Sequence, residues 1–147
     1  MKKSLIAALA LFSSSVFAEV TVENPYARAV APGQMNSAAF MNLSNSADNT
    51  VDLIAARSNA AKSVELHTHT QVEGVMQMRQ IDKVEIPAKG SVMLAPGGLH
   101  IMFIGLNQAF NEGENVDLSL EFSDGTTQAL SVPIKMVMPH GMKHKMQ

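Results

Sequence analysis

The chain has 147 residues, 13 Asp and Glu against 11 Lys and Arg for a formal charge of −2, and no cysteine. That length holds one domain with a real core but not two. Mild acidity argues against nucleic acid or an anionic lipid surface as a partner, and the lack of thiols excludes disulfide staples, thiol–disulfide exchange and a thiolate-ligated electron-transfer centre.

Residues 1–18 read as a cleaved export signal. Lys2 and Lys3 open it, residues 5–12 are apolar, and Val16-Phe17-Ala18 puts small residues where a signal peptidase reads. A buried N-terminal helix is the plainer alternative. The apolar run is too short to span a bilayer and no later stretch approaches about 18 apolar residues, so no membrane insertion is expected. Cleavage after Ala18 leaves residues 19–147 with nine basic and 13 acidic groups, a formal charge of about −4. The expected location is the periplasm, and no thiol is present to carry a lipid.

From there the chain reads as short strands. Residues 19–22 begin one, and Asn24 with Pro25 is expected to break it. Residues 26–30 alternate loosely up to a turn at Pro32-Gly33, and residues 38–43 and 51–55 are strand candidates either side of a run of turn formers. Residues 63–70 alternate, Val64 and Leu66 facing one way and Glu65, His67 and His69 the other, as in a sheet with one face in the core and one wet. Gly74 precedes a second arm at 75–81, followed by short strands at 84–87 and 92–96. Residues 99–106 are the most apolar candidate. If Leu99, Ile101 and Phe103 face the core, His100 and Met102 share the other face. Residues 107–111 are expected to form one helical turn. Residues 115–122 alternate well, Asp124 with Gly125 signals a hairpin, and residues 126–132 return as the last core strand. Eight or nine strands punctuated every 8 to 12 residues predict an antiparallel sandwich or barrel.

All five histidines lie within residues 66–102 or in the last eight residues, and most of the 11 methionines accompany them. Imidazole and thioether in one site suit a soft, closed-shell cation, and a mixed His/Met set suits Cu(I) better than zinc or a hard ion. His67 with His69, Met76 with Met78, and His100 with Met102 are each two apart, so on strands each pair presents both donors to one face. From Lys135 onward, Met136, Met138, His140, Met142, His144 and Met146 recur at every second position without a core pattern. Residues 135–147 therefore read as a mobile tail, able to wrap an ion but not to specify one.

His67, Met78 eleven positions on, His100 twenty-two further and then Met102 match the ligand spacing of the periplasmic copper chaperone family PCu(A)C. The text around them, including Glu65-Leu66-His67, Met76-Gln77-Met78, Pro96-Gly97-Gly98, Asn36-Ser37-Ala38-Ala39-Phe40 and the Asp124-Gly125 hairpin, resembles the family over residues 20 to 134. The resemblance implies an all-β, cupredoxin-like antiparallel β-sandwich of Greek-key type over residues 19–134. It also implies one Cu(I) held by His67, Met78, His100 and Met102. Family members are similar to chaperones that supply copper for the CuA centre of cytochrome c oxidase. The implied partners are a copper-accepting oxidase subunit or a thiol-containing copper assembly factor. For the chain itself a monomer is expected, with a tail-bridged, copper-linked dimer as the alternative. Met76 and His69 are expected to support these ligands rather than bind the ion. A second copper, Cu(I) or Cu(II), is expected at Met138, His140, Met142, His144 and Met146. This tail departs from the longer, His-dominated versions, which leaves its oxidation state open.

Other readings use the same residues. A copper buffer or copper-tolerance protein without a dedicated client would need the same ligands. A copper oxidase would need an open coordination position and acid–base groups that are not visible, so no enzymatic activity is expected. A metal-free interaction sandwich would treat the methionines as core fillers and the histidine clustering as chance.

Overall fold

The computed structural model of the protein describes residues 19–137. The expected signal and the tail donors Met138, His140, Met142, His144 and Met146 lie outside the described residues. Period-two alternation gives ten strands: β1 (Val20–Arg28), β2 (Asn36–Asn45), β3 (Val51–Arg57), β4 (Ala61–Val72), β5 (Val75–Gln80), β6 (Val84–Ile86), β7 (Ser91–Leu94), β8 (His100–Leu106), β9 (Asn115–Phe122) and β10 (Thr127–Lys135). One layer runs β5-β4-β8-β2-β1, and the other runs β10-β9-β3-β6. β2 is long enough to pair with β8 through its first half and with β7 through its second.

Hydrophobic burial closes the two layers into a sandwich. Leu43, Leu66, Ile101 and Phe103 from the first meet Leu53, Ile86, Leu118, Leu120 and Phe122 from the second in one buried cluster. The layers are continuous through β1 and β10, which pair in parallel with Ala27 opposite Ile134 and Arg28 opposite Lys135. That parallel join is the departure from the antiparallel pattern expected of the sequence; the all-β, cupredoxin-like sandwich is as expected.

Three local expectations are corrected. Asn24 and Pro25 do not break the first strand. β1 runs through them as a bulge, with the register against β2 shifting between Glu23 and Tyr26 and Asn24 at φ 49°. A bulge tolerates a residue with no N–H to donate, and Asn accepts the left-handed backbone more readily than most residues. Residues 107–111 form no helical turn. Phe110 is instead drawn fully into the core, edge-on to Phe103 at 5.2 Å, while its carbonyl accepts the Val30 N–H at 3.1 Å. The tenth strand exceeds the expected count.

Two hairpins follow their turn chemistry. Asp124 accepts the Thr126 N–H at 2.9 Å, with Gly125 at φ 86° between β9 and β10. Between β4 and β5, Glu73 (φ 51°) and Gly74 (φ 80°) are both left-handed, as a two-residue type I′ turn demands. That turn fixes the β4/β5 register: Val72 opposite Val75, Gln71 opposite Met76, His69 opposite Met78 and His67 opposite Gln80.

Because Phe110 replaces a helical turn by a packed plug, Phe110→Ala is expected to cost about 3–5 kcal/mol of stability, read as a lowered urea midpoint at unchanged far-UV signal.

Candidate metal centre

The β4/β8 register brings the predicted donors together. His67 lies opposite His100 and Glu65 opposite Met102, and cross-strand partners share a face. Leu66, Ile101 and Phe103 take the core side. Through β5, Met76 and Met78 join the same outer face, in line with Gln71 and His69. A cleft of about 300 Å³ opens there, lined by Met78, His100, Met102 and His69 together with Arg28, Asn36 and Ser37.

The sequence placed His100 correctly on the face away from the core, but that face is not open at this point. His100 is only 2 % exposed, enclosed by the rings of His69 at 5.1 Å, His67 at 5.8 Å and Phe40 at 6.4 Å between centroids. Met102 is half-buried, whereas Met78 is 46 % and Met76 56 % exposed on the sheet's edge strand. His67 lies against His100 rather than along the cleft, and His69, expected to be supporting, takes a place on the cleft wall.

The loop from β7 to β8 orients two of these rings. Pro96 and Gly97 (φ 84°) occupy the middle of a tight turn closed by the Gly98 N–H donating to the Ala95 carbonyl at 3.0 Å. Proline followed by a left-handed glycine is the type II signature. The turn leaves the Gly98 carbonyl facing the histidines. It accepts Nδ1–H of His100 at 2.9 Å and, weakly, Nδ1–H of His69 at 3.4 Å. A carbonyl only accepts, so the His100 proton is on Nδ1 and its Nε2 carries the lone pair. His67 is held the other way round, its Nε2–H donating to the Glu65 carboxylate at 2.8 Å; in the neutral ring, the form that can bind a metal, the lone pair is then on Nδ1.

Both of those lone-pair atoms, His67 Nδ1 and His100 Nε2, are buried without any hydrogen-bond partner; among the described residues only Asp52 Oδ1 shares that condition. Unpaired buried acceptors are costly, which is why they are rare in folded proteins. Among the described residues, no three His, Cys, Asp or Glu side chains group so as to hold a metal ion. A complete donor set here therefore has to include the thioethers. Two imidazole lone pairs and two thioethers fit a soft monovalent cation.

Burial holds the His100 imidazole below its ordinary pKa. The Gly98 hydrogen bond opposes the shift, and the neighbouring His69, His67 and Arg28 add to it. Sequence reading missed the Gly98 carbonyl, Phe40 and Glu65 as parts of the site. Glu65 alone had a signal, since it is two residues from His67 on an alternating strand.

The fold is that of the PCuAC domain. The solution structure of CuI-DR1885 from Deinococcus radiodurans superposes with a TM-score of 0.68 at 31 % identity, over 88 % of this chain and 87 % of that one. A copper-bound PCuAC domain from PmoF2 gives 0.70 at 22 % identity, over 82 % of this chain and 95 % of that domain. The chain belongs to the LpqE-like family, described as "Putative lipoprotein LpqE-like", whose model matches residues 20–134. A relative from Leifsonia xyli subsp. xyli, "Putative lipoprotein Lxx21020", is 35 % identical over 117 residues, 79 % of this chain and 69 % of its own length.

Protonation of His100 is disfavoured in the folded state and free in the unfolded one, so the unfolded chain takes up more protons as pH falls below about 6.5. Stability of the metal-free protein is therefore expected to fall with pH from that point downward, until the folded-state His100 also protonates. Urea midpoints between pH 7.5 and 5 measure this, and His100→Leu is expected to flatten part of the slope.

Proposed function

We propose that the protein is an extracytoplasmic copper carrier that binds one Cu(I) through His67, Met78, His100 and Met102. The observation that carries this reading is the pair of buried, partnerless ring nitrogens, one from each end of the predicted ligand set, beside exposed and half-buried thioethers. A copper-loaded relative of the same fold at 31 % identity supports the choice of metal. Export is supported by residues 1–18 and by the lipoprotein description of the family. These 147 residues offer no thiol to a lipid.

The arrangement suits carriage rather than catalysis. Four neutral donors leave the bound ion with its single charge, and oxidation would raise that charge without supplying a harder ligand. His100, whose ring is enclosed, would be the ligand least accessible to an incoming group. Met78, on the edge strand, is the donor most accessible to an incoming ligand. Exchange from that side lets a client's ligand bind before the histidines let go. In the finer reading, the client is a copper-accepting oxidase subunit with a CuA centre, reached directly or beside a thiol-containing assembly factor. Transfer of Cu(I) to the soluble domain of such a subunit separates this from a copper buffer. A second copper at Met138, His140, Met142, His144 and Met146 remains part of the proposal.

Competition with a Cu(I) chelator is expected to give one ion per sandwich domain in a chain truncated after residue 137. Met78→Leu and Met102→Leu should each weaken binding by about tenfold or more with little loss of stability, because Leu conserves volume. Affinity should also decline below about pH 6 as imidazoles protonate. An affinity unchanged from pH 7 to 5 would mean that the histidines are not ligands.

A further inference from the structure

We infer that Glu65 is the positioning residue for His67, its carboxylate holding the ring by Nε2–H so that Nδ1 is the atom presented to the metal. The inference rests on the copper reading above and assigns a role to a side chain outside the donor set. Ser63, Glu65 and His67 follow one another at alternate positions on the outer face of β4. Ser63 Oγ donates to Glu65 Oε1 at 3.2 Å, and His67 Nε2–H donates to Oε2 at 2.8 Å. Both carboxylate oxygens are thus engaged, and the carboxylate is fixed before it fixes the ring.

The pair is also shielded, with side-chain exposures of 13 % for His67 and 26 % for Glu65. Water therefore competes weakly for the Nε2 proton. A neutral imidazole has one N–H, and an ionised carboxylate can only accept. The bond to Glu65 accordingly decides which nitrogen keeps its lone pair. It also decides which way the ring is turned, because a ring flipped about its Cβ–Cγ bond would point Nδ1 elsewhere. The result is visible in His67 Nδ1, which is buried and partnerless. His100 reaches the same outcome by the opposite route, its Nδ1–H on the Gly98 carbonyl and Nε2 left bare. One ring is aimed by a side chain and the other by the backbone, and a substitution can remove only the first. Outer partners of this kind orient ligand imidazoles, and their loss costs about 10–100-fold in metal affinity.

The test compares wild type with Glu65→Gln, Glu65→Leu and Glu65→Ala. At pH about 8, above the ordinary imidazole range, nitrogen–proton NMR of the metal-free chain should show a His67 Nε2–H signal protected from exchange. Glu65→Gln should keep it, since the amide oxygen still accepts and the amide NH₂ can donate to Ser63 Oγ. Glu65→Leu and Glu65→Ala should lose it. Chelator competition should then show Glu65→Gln within about threefold of wild type and the other two weaker by about tenfold or more. Retention of the signal and the affinity in Glu65→Leu and Glu65→Ala would overturn the role of Glu65. So would a Gln variant as weak as the Leu variant, because charge rather than aim would then be the contribution. A wild type with the protected signal but no Cu(I) uptake would instead overturn the copper reading, and the proposal with it.

Discussion

The pairing of β4 with β8 is the constraint on which the rest depends. Placing His67 opposite His100 puts Leu66 opposite Ile101 and Val64 opposite Phe103 in the same stroke. The apolar residues thereby face the second layer and the donors face away from it. A slip of one residue would turn Leu66 outward and drive an imidazole into the core. Register is therefore enforced by burial of the core face, and the donors on the other face are aligned as a by-product. The β4/β5 turn extends the alignment to Met78 through the left-handed pair Glu73 and Gly74.

The two faces of β8 are asymmetric in a way that simple alternation does not capture. Ile101 and Phe103 are covered by the opposite layer, while His100 is covered from its own side by Phe40, His67, His69 and the turn at Pro96 and Gly97. An imidazole can occupy such a place only because the Gly98 carbonyl takes its one N–H. That shelter, more than proximity to other charges, is what keeps the ring neutral and its free nitrogen available.

Much of this was readable from sequence where the signal is local. The alternation over 115–122 gave β9 at its true bounds, Asp124 with Gly125 gave its hairpin, and the parity of His100 with Met102 gave their common face. What escaped depends on residues far apart in the chain. Burial of His100 needs the neighbours on β2 and β4, and the parallel join of β1 and β10 links the two ends of the domain. Phe110 is buried against Phe103, a contact between residues whose fit depends on the assembled core, which the local sequence read as a helical turn does not reveal. The spacing of His67, Met78, His100 and Met102 named a ligand set but could not say which ring nitrogens would be bare. It also gave no reason to rank His69 as part of the cleft wall.

The bare nitrogens of His67 and His100 have a thermodynamic consequence. Each buried acceptor left unpaired costs about 1–3 kcal/mol, a handicap that an ion binding both nitrogens would remove. By mass action, anything that binds only the native form also lowers the population of unfolded molecules. Since proteases cut the unfolded form, copies with both nitrogens bare would be the more readily degraded, and those with the nitrogens occupied would outlast them.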